Sequence, residues 1–224
     1  MLIITSISPH HKNKDNQIAA IKSWQKYGNV FSMNRQDEIN QIDKSEYTGV
    51  TFLPTTRTIE QLFGIPRVNI NAMIDIGIVH CKDIFLINSD VIIERLPELK
   101  QDGITILNRC DYTKEFSDGV LFEHGFDGFF IPKDYLKLYP PSIYGMGSTF
   151  VDFSLPYRMM RNGINVYWPQ GKTLYHKTHE LQWSYEEWER TGRFFQLEFN
   201  LERHLLVEQF TPQILAEIKN KAIK

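Results

Sequence analysis

Four apolar residues, Ile84-Phe85-Leu86-Ile87, run straight into Asn88-Ser89-Asp90. An unbroken apolar tetrad describes a strand covered on both faces, as in a parallel sheet wrapped by helices, not a sheet with one wet face. A strand that carries an amide, a hydroxyl and a carboxylate at its C-terminal end places them in the crevice where open α/β sheets bind ligands. Asp90 is therefore a candidate ligand for a hard divalent cation, which prefers oxygen donors. Asn, Ser and Asp are also turn formers, because their side chains bond nearby backbone groups. The segment reads as a site only in company with residues further along.

The surrounding pattern supports the sheet. Leu2 to Ser8 reads as a first strand and Asp15 to Tyr27 as a helix, with Ile18, Ile21 and Trp24 on one face and Gly28 as its stop. Short strands follow at Val30 to Met33 and Val50 to Leu53, with a helix between them in Asn34 to Tyr47. Pro66 marks the start of a helix whose buried face is Val68, Ala72, Met73, Ile76 and Val79. Strands alternating with helices predict a mostly parallel sheet over the first half. In the second half, Ile104 to Leu107 reads as a strand, and Gly119 to Phe122 and Phe126 to Ile131 read as antiparallel strands. A helix spans Asp152 to Asn162, with short strands at Val166 to Trp168 and Thr173 to His176. Ser184 to Leu206 reads as one long or broken helix with Gly192 as its weak point, and Thr211-Pro212 as the start of a last helix.

Length and composition set bounds. A chain of 224 residues with 42% hydrophobic and 23% charged residues is an ordinary globular protein. The net charge of −2 offers no general attraction to nucleic acid or anionic membrane. Cys81 and Cys110 lack zinc-type spacing and read as small buried hydrophobes in a reducing, cytoplasmic protein. No run approaches a membrane span, and Met1 to Thr5 reads as strand, not signal peptide.

A second set of residues follows Asp90: Asp152 opening a helix that carries Arg158, then Gly163, then Val166-Tyr167-Trp168-Pro169 and Leu174-Tyr175-His176. With Asn88-Ser89-Asp90, this order resembles the GT-A glycosyltransferases, especially the family 2-like group, over roughly residues 1–180. The resemblance implies a GT-A-like, Rossmann-like α/β fold with a mostly parallel central sheet flanked by helices, a smaller antiparallel acceptor-side sheet and C-terminal helices. It places Asn88-Ser89-Asp90 where that family has its Asp-x-Asp motif. Three departures stand out: Asn88 replaces the first acid, Val151 the Glu that usually precedes the Asp of the helix, and Ser154 a frequent second Asp.

By that resemblance Asp90 and His176 are the metal ligands for Mn²⁺ or Mg²⁺, with His179 a rival, and Asp152 is the general base of an inverting transfer. Ser6, Ser8, Arg67, Asn71, Asn88 and Ser89 are donor-binding candidates, Arg67 and Asn71 as an i, i+4 pair on one helix face. Asp127, Gly145, Gly147 and Trp183 are acceptor-side candidates; glycines permit close backbone approach, and aromatic rings stack on sugars. His10 and His11 read as solvated. The expected organisation is one domain: a nucleotide-sugar-binding half at 1–108, an acceptor and catalytic half at 109–180, and a helical segment at 181–224. The expected partners are a nucleotide-diphosphate sugar and a hydroxyl-bearing acceptor, whether glycan, lipid carrier, protein or modified nucleic-acid base. Two alternatives stay open. A nucleotidyltransferase or other sugar-nucleotide enzyme would use a similar sheet, although Ser8-Pro9-His10-His11-Lys12 lacks the glycine-rich basic loop usual in that class. A non-catalytic nucleotide-sugar or glycan-binding protein would explain the absent acids.

Overall fold

A computed structural model of the chain describes residues 1–179 and 183–224. In chain order its elements are β1 (Leu2–Thr5), α1 (Lys14–Trp24), β2 (Asn29–Asn34), α2 (Gln36–Gln41), β3 (Val50–Pro54), α3 (Glu60–Phe63), α4 (Ile70–His80), β4 (Ile84–Ile87), β5 (Val91–Ile93), β6 (Gly103–Leu107) and β7 (Arg109–Tyr112). They continue with β8 (Val120–Leu121), β9 (Gly128–Ile131), α5 (Lys133–Leu136), α6 (Val151–Arg161), β10 (Asn165–Tyr167), β11 (Leu174–Lys177), α7 (Tyr185–Glu198) and α8 (Val207–Lys221).

The expected α/β class is found. Seven strands form a central sheet in the order β10-β6-β9-β4-β1-β2-β3, parallel throughout except for β9, which runs antiparallel to both β4 and β6. The alternation of side chains onto two covered faces explains why β1 and β4 are buried at every position. Leu2, Ile4, Ile84 and Leu86 enter one core layer, with residues of α4, α6, α7 and α8. Ile3, Phe85 and Ile87 enter the other, with Ala20, Ile21 and Trp24 of α1. All four side chains of β4 are fully buried, so helices must cover both faces.

A second sheet of four strands, β5-β11-β7-β8, lies at the carboxyl edge of the first. It was expected to be antiparallel and is mixed: β11 pairs parallel with β7 and antiparallel with β5. The Phe126 to Ile131 strand, antiparallel as expected, lies in the central sheet between β4 and β6, with its Gly-Phe-Phe-Ile buried. Three further expectations are corrected. Helix α4 starts at Ile70 behind an Asn69 cap, so Arg67 precedes it and does not share a helix face with Asn71. Gly192 is not a weak point but a close-packing position in α7, where a Cβ would lie 2.5 Å from Val207 and 2.9 Å from Phe150. The last helix begins at Val207, and Pro212 lies inside it. Cys110 is buried as expected, whereas Cys81 is exposed at the end of α4. Among the described residues, no helix is long and apolar enough to cross a membrane.

Candidate functional site

The carboxyl edge of the central sheet is where polar groups gather. Past Ile87 the chain makes a tight turn, with the Val91 amide donating to the Asn88 carbonyl at 3.2 Å, and crosses into the small sheet as β5. Helix α1 holds the turn from behind. Gln17 Nε2 donates to Ser89 Oγ at 2.7 Å, Asn16 Nδ2 to the Asp90 carbonyl at 2.8 Å, and Trp24 Nε1 to the Val91 carbonyl at 2.8 Å. With the backbone and Ser89 engaged by α1, the Asp90 side chain is free to meet a different set of partners.

Those partners are three histidines. Asp90 Oδ2 lies 3.1 Å from His11 Nε2, 3.3 Å from His176 Nε2 and 3.0 Å from His179 Nε2. The small sheet makes this meeting possible, because β11 places His176 in register between Val91 of β5 and Asp111 of β7. Burial works against the Asp90 carboxylate, yet hydrogen bonds from the three histidines hold it well below the usual carboxylate range. Burial also opposes charge on His176, but its bonds to Asp111 and Asp90 push it up to about 9.

The hydrogen-bond partners assign the ring tautomers. Carboxylates only accept, so His176 donates from Nδ1 to Asp111 Oδ1 at 2.9 Å and, protonated with its pKa at about 9, from Nε2 to Asp90; loss of the Nε2 proton would free that lone pair for a cation. His11 Nδ1 accepts from the Asn13 amide at 3.1 Å, so a neutral His11 carries its proton on Nε2 and donates it to Asp90. His176 Nε2 and His179 Nε2 are 3.1 Å apart. Either one ring gives its proton to the other, or both turn lone pairs to one cation. The donor set of one carboxylate and imidazoles fits a borderline cation such as Mn²⁺ and fits Mg²⁺ poorly, since Mg²⁺ takes oxygen ligands. Asp90 with His11 and His179 forms a group able to hold it, their ligand atoms within 4.8 Å of one another, and His176 Nε2 adjoins both Asp90 and His179.

A second cluster adjoins the first. Because β9 runs backward, its N-terminal end lies at the same edge, and Gly128 pairs with both Ile87 and Leu107. Asp127 therefore meets Asn88, whose Nδ2 donates to Asp127 Oδ1 at 3.0 Å. Arg109 bridges from Asp127 to Asp111. Asp152, at the second position of α6, has its carboxyl against the Gly125–Phe126 backbone and accepts from the Phe126 amide. Burial and the neighbouring Asp127 charge raise it to about 7, against the opposing pull of those backbone bonds and Arg109. An acid in this range is poised to exchange a proton near neutral pH.

The other anticipated residues are placed as follows. Ser6 Oγ accepts from Asn34 Nδ2 at 3.2 Å at the end of β1, and Ser8 Oγ accepts from the amide of exposed His10 at 3.3 Å. Gly147 adopts φ +73, open to glycine without strain, and its Cβ position lies 3.9 Å from Asn88 Oδ1. Gly145 bridges to Asn69, which pins the loop to the start of α4. Asn71 spends its amide on the Pro140 carbonyl and the Ser142 amide. Arg67 pairs with Glu187 of α7, and Trp183 lies at the surface just before that helix. Asp127 is 5% exposed, and its Oδ1 accepts from both Asn88 and Arg109. His11, read from sequence as solvated, faces Asp90. Its signal was its position after the first strand; that of Asp111 was only its place opposite His176 across a strand pair.

No protein-family model matches the chain, and no curated protein matches it. Among solved structures, it is similar to the CTP:phosphocholine cytidylyltransferase LicC of Streptococcus pneumoniae, over 90% of this chain and 98% of that one, at 13% identity and a TM-score of 0.37. A likeness of that degree assigns no activity.

Proposed function

We propose that the chain is a glycosyltransferase that moves a sugar from a nucleotide-diphosphate donor to an acceptor hydroxyl, with inversion at the anomeric carbon. The observation that carries this reading is the convergence of His176 and His179 on Asp90 at the carboxyl edge of the sheet, beside a separate half-buried acid, Asp152, raised to about 7. Asp90 and the histidines around it would hold a divalent cation, whose charge would stabilise a departing diphosphate. Asp152, ionised just above neutrality, takes the proton of the acceptor hydroxyl. Asn88 is held by Asp127 and offers its carbonyl oxygen beside Gly147 to a donor hydroxyl. Ser6 and Ser8 offer hydroxyls at the end of β1 for the nucleoside.

The second reading is a nucleotidyltransferase, the activity named for the structural relative. The same metal edge serves phosphoryl transfer, but an acceptor phosphate carries no proton that must be removed. The poised Asp152 therefore favours the glycosyltransferase. The test is product identity with Mn²⁺ present: nucleoside diphosphate from a nucleotide sugar supports sugar transfer, and pyrophosphate from a nucleoside triphosphate and a sugar phosphate supports nucleotidyl transfer. Either activity should vanish in Asp90→Ala. A protein that binds nucleotide sugars and never turns them over is a binding module.

A further inference from the structure

The metal-facing ring of His176 is the outer end of a charged chain that runs back into the fold. Its Nδ1 lies 2.9 Å from Asp111 Oδ1, the same oxygen accepts from Arg109 Nε at 2.7 Å, and Arg109 Nη1 donates to Asp127 Oδ1 at 3.0 Å. The Arg109 guanidinium lies 4.3 Å from the centre of the Phe122 ring, which gives it a fixed platform. Strand pairing sets the geometry: His176 and Asp111 are opposite one another in β11 and β7, so their side chains leave the sheet together.

We propose that Asp111 is a positioning residue for the metal centre and that Arg109 fixes Asp111, an inference that rests on the metal reading of the Asp90 cluster. An imidazole presents Nε2 to a cation only if Nδ1 keeps its proton and the ring is held in plane, and a carboxylate behind the ring does both. Arg109 keeps Asp111 in that orientation and offsets its charge beside Asp127. The chain also ties the histidine edge to the Asn88–Asp127 pair, so a single guanidinium holds both halves of the site in register.

The competing account is an ion pair that serves stability alone. The two separate when Mn²⁺ affinity is measured by titration calorimetry and the unfolding midpoint is measured in EDTA, for the full chain and its variants. The expected result is a 10–100-fold weaker Mn²⁺ affinity in Asp111→Ala, a smaller loss in Asp111→Asn, which keeps an oxygen acceptor, and an intermediate loss in Arg109→Gln. If Asp111→Ala does not fold, Asp111→Ser carries the same test, since its hydroxyl falls short of the ring. A folded Asp111→Ala or Asp111→Ser protein that binds Mn²⁺ as tightly as the wild type overturns the positioning role while leaving the metal site standing. A wild-type chain that binds no Mn²⁺ removes the metal reading, and this inference with it.

Discussion

Gly125→Ala isolates the role of Asp152. A Cβ at position 125 would lie 2.2 Å from Asp152 Oδ2, against an ordinary contact of at least 3.4 Å, so the carboxylate oxygen must retreat by about 1.2 Å. The overlap falls on the end of a side chain rather than on backbone, and Gly125 is not among the glycines with positive φ, so alanine fits the local conformation. The fold should survive with an unfolding midpoint within a few degrees of the wild type, while the base is displaced. A reacting group misplaced by about 1 Å costs on the order of a hundredfold in rate, within the roughly 10²–10⁴ that a general base supplies. The assay is Mn²⁺-dependent release of nucleoside diphosphate from the donor sugar, with Asp152→Asn as the reference for full loss. Expected is a turnover about 100-fold below wild type with donor binding retained. A folded Gly125→Ala protein with wild-type turnover refutes Asp152 as the base.

Three further outcomes follow from the same geometry. Asp152 has its folded pKa raised to about 7 by burial and Asp127. Its contribution to stability is fully present below about pH 4 and is lost as pH rises to about 7. The midpoint of Asp152→Asn relative to wild type should therefore climb between pH 5 and 8 in thermal scans, and a flat difference would contradict the shift. Asn88→Asp sets a second carboxylate against Asp127, 3.0 Å away in the present pair, and should destabilise by about 1–3 kcal/mol in urea titration. The exchanged pair Asn88→Asp with Asp127→Asn should recover part of that loss. Mn²⁺ should raise the unfolding midpoint more than an equal concentration of Mg²⁺, because imidazole donors suit the softer ion; equal responses would mean that the histidines take no part.

The sheet was legible because its signal is local. Ile84 to Ile87 is apolar at every position, and only a strand buried on both faces needs that, so fold class and the placement of Asp90 follow from one segment. The antiparallel direction of β9 was expected, but its place between β4 and β6 in the central sheet was not legible, because long-range pairing that no local pattern encodes sets it. The same limit hid His11 beside Asp90 and Asp111 behind His176, while His176 itself was expected beside Asp90 only through the family resemblance. These segments meet because β5 draws β11 and β7 alongside. Asn88 looked like a lost acid from its sequence position alone. In the structure its amide answers Asp127, a carboxylate that a second acid would oppose. Arg67 does not share a helix face with Asn71, because Asn69, not Pro66, caps α4; the arginine pairs with Glu187.

The central claim, a nucleotide-sugar site built on a divalent cation at Asp90, is tested most directly by unfolding midpoints across a panel of nucleotide-diphosphate sugars with and without Mn²⁺. The account predicts a rise of several degrees with one donor, present only with Mn²⁺ and absent in Asp90→Ala. No rise with any donor, or a rise that persists in Asp90→Ala, would contradict it.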